Sequence, residues 1–444
     1  MTPRTEDGDP PPGRTVPGNR WDLLDGIWPD APPSVSVIVV HYRQQPQLTR
    51  TLAALARQSH PADRLEVIVV DDGSPELPEV PDGVTLLRQE DLGFRAAAAR
   101  NLGARRARGD VLCFLDADTT PEPEYVQRLT RMPAIAPEAV TVARRAHADL
   151  SRARVTDPIE AVAPTVELQA PVWLQDGYRR SGNLLAADDR SYRYVISAVM
   201  ACSRWFYDRV GGFDERFGEY GGEDWEWAYR AWLAGAVLAH VPDALAWHDG
   251  PDWSGRSAED ERRCAAKNCE TLRLADAIPV VGSRGRAVRT GIGDVLAHVS
   301  GAPSAAAAYL CVDTLLVALP EATVVVPDAV AATFSGEPRV VASSGLATAR
   351  LLRVRVVVHV ERLVRVRTEG LRAAVDRIGS DALGSIELTD RDGLTLVRVA
   401  SRRATARAER WGAEGLFPRL RERADWLEPV VAEPDLESYL GGWS

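Results

Sequence analysis

Residues 111–118 read Val-Leu-Cys-Phe-Leu-Asp-Ala-Asp, an apolar run that stops at two carboxylates one position apart. Five apolar residues in succession predict a strand buried on both faces, as in sheets covered by helices. Such a strand delivers Asp116 and Asp118 to its carboxyl edge, where ligands sit in open α/β sheets. Two carboxylates this close repel each other and persist most easily around a cation, and hard oxygen donors suit Mg²⁺ or Mn²⁺ bridged to phosphate. The run therefore predicts a metal–nucleotide site. Taken alone, Asp-x-Asp has a plainer and commoner meaning, an acidic turn with Thr119, Thr120 and Pro121 opening a helix.

The preceding stretches supply the rest of such a sheet. Residues 35–40 (Val-Ser-Val-Ile-Val-Val) start a strand, residues 48–57 carry apolar side chains at helical spacing, and residues 65–70 form a second apolar strand that stops at Asp71-Asp72-Gly73-Ser74. Strand, helix, strand in this space is a βαβ unit with a right-handed crossover. A short strand at 84–87 and an Ala/Arg-rich helix at 96–108, closed by Gly109, lead into residue 111. Three strands thus end in polar clusters: His41-Tyr42, Asp71-Asp72, and Asp116 with Asp118. Asp71-Asp72-Gly73-Ser74 taken alone reads as a plain turn, but the convergence of three clusters on one edge favours a nucleotide crevice more than any single cluster does.

Farther on, Arg144, Arg145, Arg152, Arg154, Arg179 and Arg180 are scattered among short apolar pieces, and residues 176–183 read as a mobile loop, a lid or a surface excursion. A strand is expected over 194–202 and a turn at 211–214. Gly221-Gly222-Glu223-Asp224 precedes a helix over 225–234 that Gly235 ends. Asp224 falls where a helix dipole stabilises an acid, which is its structural meaning. Trp225, Tyr229, Trp232 and Leu233 recur at helical spacing and read as core packing. A strand at 237–241 precedes His248, which by itself reads as a structural histidine.

With 444 residues the chain has room for two domains and a tail. Net charge is −10, which argues against a general nucleic-acid binder. Five unevenly spaced cysteines, without a C-x-x-C, indicate neither a disulfide framework nor a zinc site and fit the cytoplasm. No stretch approaches the roughly 18 apolar residues of a membrane span. This leaves a soluble protein, compatible with peripheral attachment to a membrane. Residues 1–33, rich in Pro, Gly, Asp and Arg, read as a flexible leader, with an apolar cluster of Trp21, Leu23, Leu24, Ile27 and Trp28 packing on the domain that follows.

The order Val-Ile-Val-Val-His-Tyr (37–42), Val-Val-Asp-Asp-Gly-Ser (69–74), Gly-Phe-Arg (93–95), Ala-Arg-Asn-Leu-Gly (99–103), the 109–118 run, Gly-Gly-Phe-Asp-Glu (211–215) and Gly-Gly-Glu-Asp-Trp-Glu (221–226) resembles an inverting family-2 glycosyltransferase over residues 34 to about 255. The later motifs are similar to a segment shared by chondroitin-type polymerases and galactosyl- or N-acetylgalactosaminyl-transferases. The resemblance implies an α/β fold: a GT-A-type, Rossmann-like mixed sheet with helices on both faces, spanning 34–275. It implies a nucleotide-sugar donor, with a UDP-sugar preferred, a carbohydrate, lipid-linked or small-molecule hydroxyl acceptor, and Mn²⁺ or Mg²⁺. It places His41, Tyr42, Asp71, Asp72, Arg95, Arg100, Asn101 and Asp116 at the donor and Asp118 and His248 on the metal. Asp224 becomes the catalytic base and Glu223 the acid that contacts the acceptor. His41-Tyr42-Arg43 departs from the Tyr-Asn of many members.

Residues 285–444 read as a second, smaller α/β domain. Helices are expected at 305–319, 369–378 and up to 411, with strands at 322–326, 354–360, 386–388 and 394–399. The stretch 308–328 echoes 48–71, but no Glu-Asp follows, so a degenerate domain serving interface packing or acceptor binding is expected. Arg350, Arg353, Arg355, Arg362, Arg365 and Arg367 read as a solvated face or as a hold on an anionic acceptor. Two rival functions are a sugar-1-phosphate nucleotidylyltransferase, which would need a Gly-rich loop where His41-Tyr42-Arg43-Gln44-Gln45 stands, and a non-catalytic sugar-binding scaffold, against which both acidic pairs weigh.

Overall fold

The computed structural model describes residues 10–218, 221–251, 260–280, 282–285, 288, 293–346, 353–367 and 370–441. The chain divides into two compact units, the first comprising Met1–Trp232 and Ala236–Arg273 and the second Leu233–Gly235 and Leu274–Ser444.

The first unit contains, in order, β1 (Val35–His41), α1 (Gln45–Leu55), β2 (Leu65–Asp71), β3 (Thr85–Arg88), α2 (Ala96–Arg106), β4 (Val111–Asp116), β5 (Thr119–Pro121), α3 (Tyr125–Ile135), β6 (Ala139–Ala148), α4 (Ile159–Val162), β7 (Glu167–Leu168), α5 (Val172–Arg180), β8 (Val199–Ser203), α6 (Arg204–Val210), α7 (Glu223–Leu233), β9 (Val237–Asp249) and α8 (Asp260–Ala277), whose last residues pass into the second unit. Its sheet runs β3-β2-β1-β4-β8-β6-β9-β5, with β7 against β6. The β3-β2-β1-β4 half is parallel, as Val-rich strands buried on both faces require. β8 then runs antiparallel to β4 and to β6, and β6 runs parallel to β9, giving a mixed sheet. Pairing of His41 with Asp71 and of Val40 with Asp116 fixes the three polar strand ends at one edge. Val37, Ile38, Val39, Leu112, Phe114 and Leu115 beneath them are wholly buried.

Several expectations need correcting. Residues 119–121 do not open a helix; they form β5, because Thr119–Pro121 pairs antiparallel with β9, and the helix waits until Tyr125. Residues 176–183 are not simply a loop: α5 covers them to Arg180, and the chain then turns through the left-handed Asn183 and Leu184. The strand expected at 194–202 starts only at Val199. Residues 10–33 are docked, not flexible. Val16 and Leu24 are buried with Met132, Ile135 and Val237, and the Asn19 side chain donates to the carbonyls of Leu184 and Leu238 while accepting the Leu238 N–H. A few anchors within a Pro/Gly background carry this, which composition averages away. Residues 1–9 of that leader lie outside the described residues.

The second unit contains β10 (Val295–Val299), α9 (Ala305–Ala318), β11 (Thr323–Val326), α10 (Asp328–Ala331), β12 (Val340–Ala342), β13 (Val356–Val360), β14 (Val364–Val366), α11 (Gly370–Ser380), β15 (Ser385–Thr389), β16 (Thr395–Ser401), α12 (Arg402–Trp411), β17 (Arg419–Arg423) and β18 (Leu427–Pro429). Its main sheet runs β12-β11-β10-β13-β16-β15-β17, and β14 pairs separately with β18. The core lies between this sheet and α9 and α11, where Val295, Ala297, Val324, Val356, Val358, Leu371 and Val375 are buried. β17 (Arg-Leu-Arg-Glu-Arg) is an edge strand with alternate side chains exposed, so it offered no apolar signal. Of the arginines singled out in this unit, Arg350 lies outside the described residues. Arg355 is paired with Asp294 and Arg367 with Glu428. Among the described residues no helix is long and apolar enough to cross a membrane.

Candidate active site

At the β1 and β2 ends, His41 and Asp71 are fully buried and hold each other, Nδ1 to Oδ1 at 2.9 Å. The Gln44 N–H donates to His41 Nε2, so the ring carries its proton on Nδ1 and donates it to Asp71. The Asp71 carboxylate also accepts from the Ser74 N–H at 2.9 Å and the Ser74 hydroxyl at 2.6 Å. Expected at the donor, both residues have their polar atoms committed to framing the loop. Gly73 is left-handed at φ +82°, and a Cβ there would fall 2.4 Å from the Asp91 nitrogen, which explains the glycine. Asp72 accepts from Gln89 Nε2 at 2.5 Å and from the Arg95 N–H at 2.8 Å, while burial pushes its carboxyl above the usual carboxylate range. Tyr42 is exposed beside it, with the Arg43 guanidinium 4.9 Å from its ring centre.

The β4 end carries the metal candidates. The Asp116 carboxylate is bound by Arg100 at 2.9 Å. Asp118 accepts from Gln44 Nε2 at 2.9 Å, and the β5–β9 register sets Thr119 opposite His248, whose Nε2 lies 3.6 Å from the same Asp118 oxygen. His248 Nδ1 donates to the Gly250 carbonyl at 3.1 Å. In the neutral ring Nε2 then points a lone pair at a carboxylate, an arrangement that a cation between them relieves. Among the described residues no cluster of three or more His, Cys, Asp or Glu is arranged around one ion. Two protein ligands nonetheless fit a Mg²⁺- or Mn²⁺-type ion, which takes its other ligands from phosphate and water.

Glu223 and Asp224 form the first turn of α7, which starts two residues earlier than the apolar spacing indicated. Arg100, buried on α2, donates from one amino group to Asp116 and from the other to Glu223, both at 2.9 Å. The two carboxylates keep the guanidinium charged despite its burial. Glu223 Oε2 is buried and has no hydrogen-bond partner among the described residues. Among the described residues Asp224 accepts only the Trp225 N–H, and burial together with the neighbouring Glu223 pushes its carboxyl up to about 7.

Asn101, expected at the donor, is committed elsewhere. Its amide donates to the Phe213 carbonyl and to Glu215, and its oxygen accepts from the Phe213 N–H and the Tyr207 hydroxyl, so it ties α2 to the 211–215 turn. Arg95 stands at the N-cap position of α2, its N–H donating to Asp72. Gln44, Ser74 and Gln89 join the site through these hydrogen bonds without having been expected there. Only Ser74, inside the Asp-Asp-Gly-Ser motif, carried any signal.

A parallel sheet half with acids at its carboxyl edge, continued by antiparallel strands that bring a second acidic pair to that edge, is a GT-A-like fold. Residues 36–192 match the model described as glycosyl transferase family 2, and residues 186–246 match that described as the N-terminal domain of galactosyltransferase. Over these residues the first unit is similar to glycosyltransferase family 2. Chondroitin synthase of Escherichia coli is 31% identical over 280 residues, covering 58% of this chain and 39% of that protein. Validoxylamine A glucosyltransferase of Streptomyces hygroscopicus subsp. limoneus is 36% identical over 225 residues, covering 45% and 48%. The matches therefore span less than half the length of either relative. A mannosyltransferase of Pyrobaculum calidifontis in complex with GDP-Man and Mn²⁺ is similar at 20% identity and TM-score 0.39, covering 57% of this chain and 68% of that one.

Proposed function

We propose that the protein is an inverting, metal-assisted glycosyltransferase that moves a sugar from a nucleoside-diphosphate donor, a UDP-sugar by preference, to a hydroxyl of a carbohydrate, lipid-linked or small-molecule acceptor. The observation that carries this reading is the Arg100 bridge, which ties the donor-side Asp116 to the Glu223–Asp224 pair. The nucleotide lies along Tyr42, Asp72 and Arg95, on a loop stiffened by His41, Asp71 and Ser74. Asp118 and His248 would hold the metal, which supplies charge neutralisation to the departing diphosphate. Asp224 takes the proton of the attacking hydroxyl, and a carboxylate whose proton affinity is raised toward neutrality is a more effective base than an ordinary aspartate. Glu223, anchored through Oε1 by Arg100, has Oε2 left to accept a second acceptor hydroxyl. A single base suffices because displacement with inversion is one step. Resemblance to both a chondroitin synthase and a validoxylamine A glucosyltransferase supports a hydroxyl acceptor. A cytoplasmic setting is part of the proposal, supported by the free buried thiols of Cys113, Cys202 and Cys311.

Screening UDP-, GDP- and dTDP-sugars by thermal shift, with and without Mn²⁺, tests the reading. One donor class should raise the melting temperature only with metal, since a ligand bound by the folded state alone stabilises it. Absence of any such shift would contradict it.

A further inference from the structure

The second unit repeats the first strand for strand. Its parallel run β12-β11-β10-β13 matches β3-β2-β1-β4. β16 is antiparallel to β13 as β8 is to β4, β15 is antiparallel to β16 as β6 is to β8, and β17 is parallel to β15 as β9 is to β6. The antiparallel β14–β18 pair stands where β5 meets the far half of β9. Every pairing of the first sheet except β6–β7 has its counterpart. The helices agree: α9 follows β10 as α1 follows β1, α11 joins β14 to β15 as α3 joins β5 to β6, and α12 follows β16 as α6 follows β8.

The registers coincide residue by residue. Val111 lies between Val35 and Ser203, and Val356 lies between Val295 and Ser401. The two serines then do the same work. Ser203 accepts the Phe206 N–H and Ser401 the Ala404 N–H to cap α6 and α12, and each helix ends at a left-handed glycine, Gly211 or Gly412. Ser36 pairs with Glu66 as Leu296 pairs with Thr323, and an equal step onward stand Asp71 and Asp328. Val111 and Val356 are separated by the same number of residues from the starts of β5 and β14. This frame puts Glu361 in the place of Asp116 and Leu363 in the place of Asp118. His248 faces Thr119, and the residue facing the corresponding Val364 is Pro429. The side chains of a buried leucine and a proline have no lone pairs to offer a cation. The Glu223–Asp224 helix has no counterpart either, because residues 412–418, all described, pass from α12 to β17 without one.

We infer that residues 295–429 are a second copy of the GT-A fold that has lost the metal pair and the base, so that the chain operates with one donor site. This rests on the transferase reading of the first unit. A fold shared with an active transferase does not confer the activity, which lives in the edge residues.

The test is to titrate the full chain with UDP, GDP and dTDP in the presence of Mn²⁺ by calorimetry. A photoreactive azido analogue of the nucleotide that binds is then crosslinked and mapped by mass spectrometry. One nucleotide per chain, with labelled peptides confined to residues 35–250, is the expected result. Two per chain, or labels within residues 293–441, would overturn the inference. Failure of all three nucleotides to bind would instead remove the transferase reading and, with it, the ground of the inference.

Discussion

The carboxyl edge of the first sheet is crowded with buried polar groups, whereas the polar groups at the matching edge of the second, Asp328 and Glu361 among them, are exposed. In the first, His41, Asp71, Asp72, Arg100 and Glu223 are all buried, and each must be matched by a partner because an unpaired polar group in that setting is costly. In the second, Leu363 is absorbed into the core and Pro429 ends a strand. Both sheets keep the same order and registers. The contrast teaches that apolar strand patterning sets this frame, while a handful of edge residues, energetically expensive and unnecessary to the frame, set the chemistry.

Substitutions can break or sharpen this contrast. The largest effect on stability is expected from Arg100→Leu, which strands the buried Glu223 and half-releases Asp116; removing one partner of a buried pair costs about 3–5 kcal/mol, read from urea unfolding. A variant of native stability would mean that the edge is less costly to build than the burial implies. His248→Ala should weaken Mn²⁺ affinity in the donor complex roughly 10- to 100-fold, measured by titrating activity with metal. Unchanged affinity would return His248 to a structural part. Asp224 binds its proton up to about pH 7 and is a base only once it is lost, so turnover should rise as pH increases through that range. A rate that is flat or falling there would exclude it. The smallest effect belongs to the second unit: Glu361→Gln, at the position of Asp116, should leave kcat and KM within experimental error, and a clear loss of activity would show that the second edge still works.

Much of this could be read from the sequence. The strands ending at His41, Asp71 and Asp116 were legible because each is a continuous apolar run cut off by polar residues, and the helix at α9 and the strands at β11, β13 and β16 carried the same signal. Less legible was what depends on residues far apart in the chain. Thr119–Pro121 becomes a strand only because β9 arrives beside it. Asn101 belongs to a motif but spends its amide on the 211–215 turn, and Arg100 joins two acidic motifs 100 and more residues apart, which no local pattern encodes. The equivalence of the two units was audible only as the faint echo at 308–328, since their agreement lies in pairing and register, not in side-chain identity.

The most direct measurement is the turnover of Asp224→Asn with the donor that binds. Asparagine keeps the size and the bond from the Trp225 N–H and is as good a residue for a helix start, but it cannot accept a proton. If Asp224 is the base, turnover falls by about 10²–10⁴ while donor affinity and stability stay near native. Near-native turnover with native stability would contradict the catalytic assignment of Asp224.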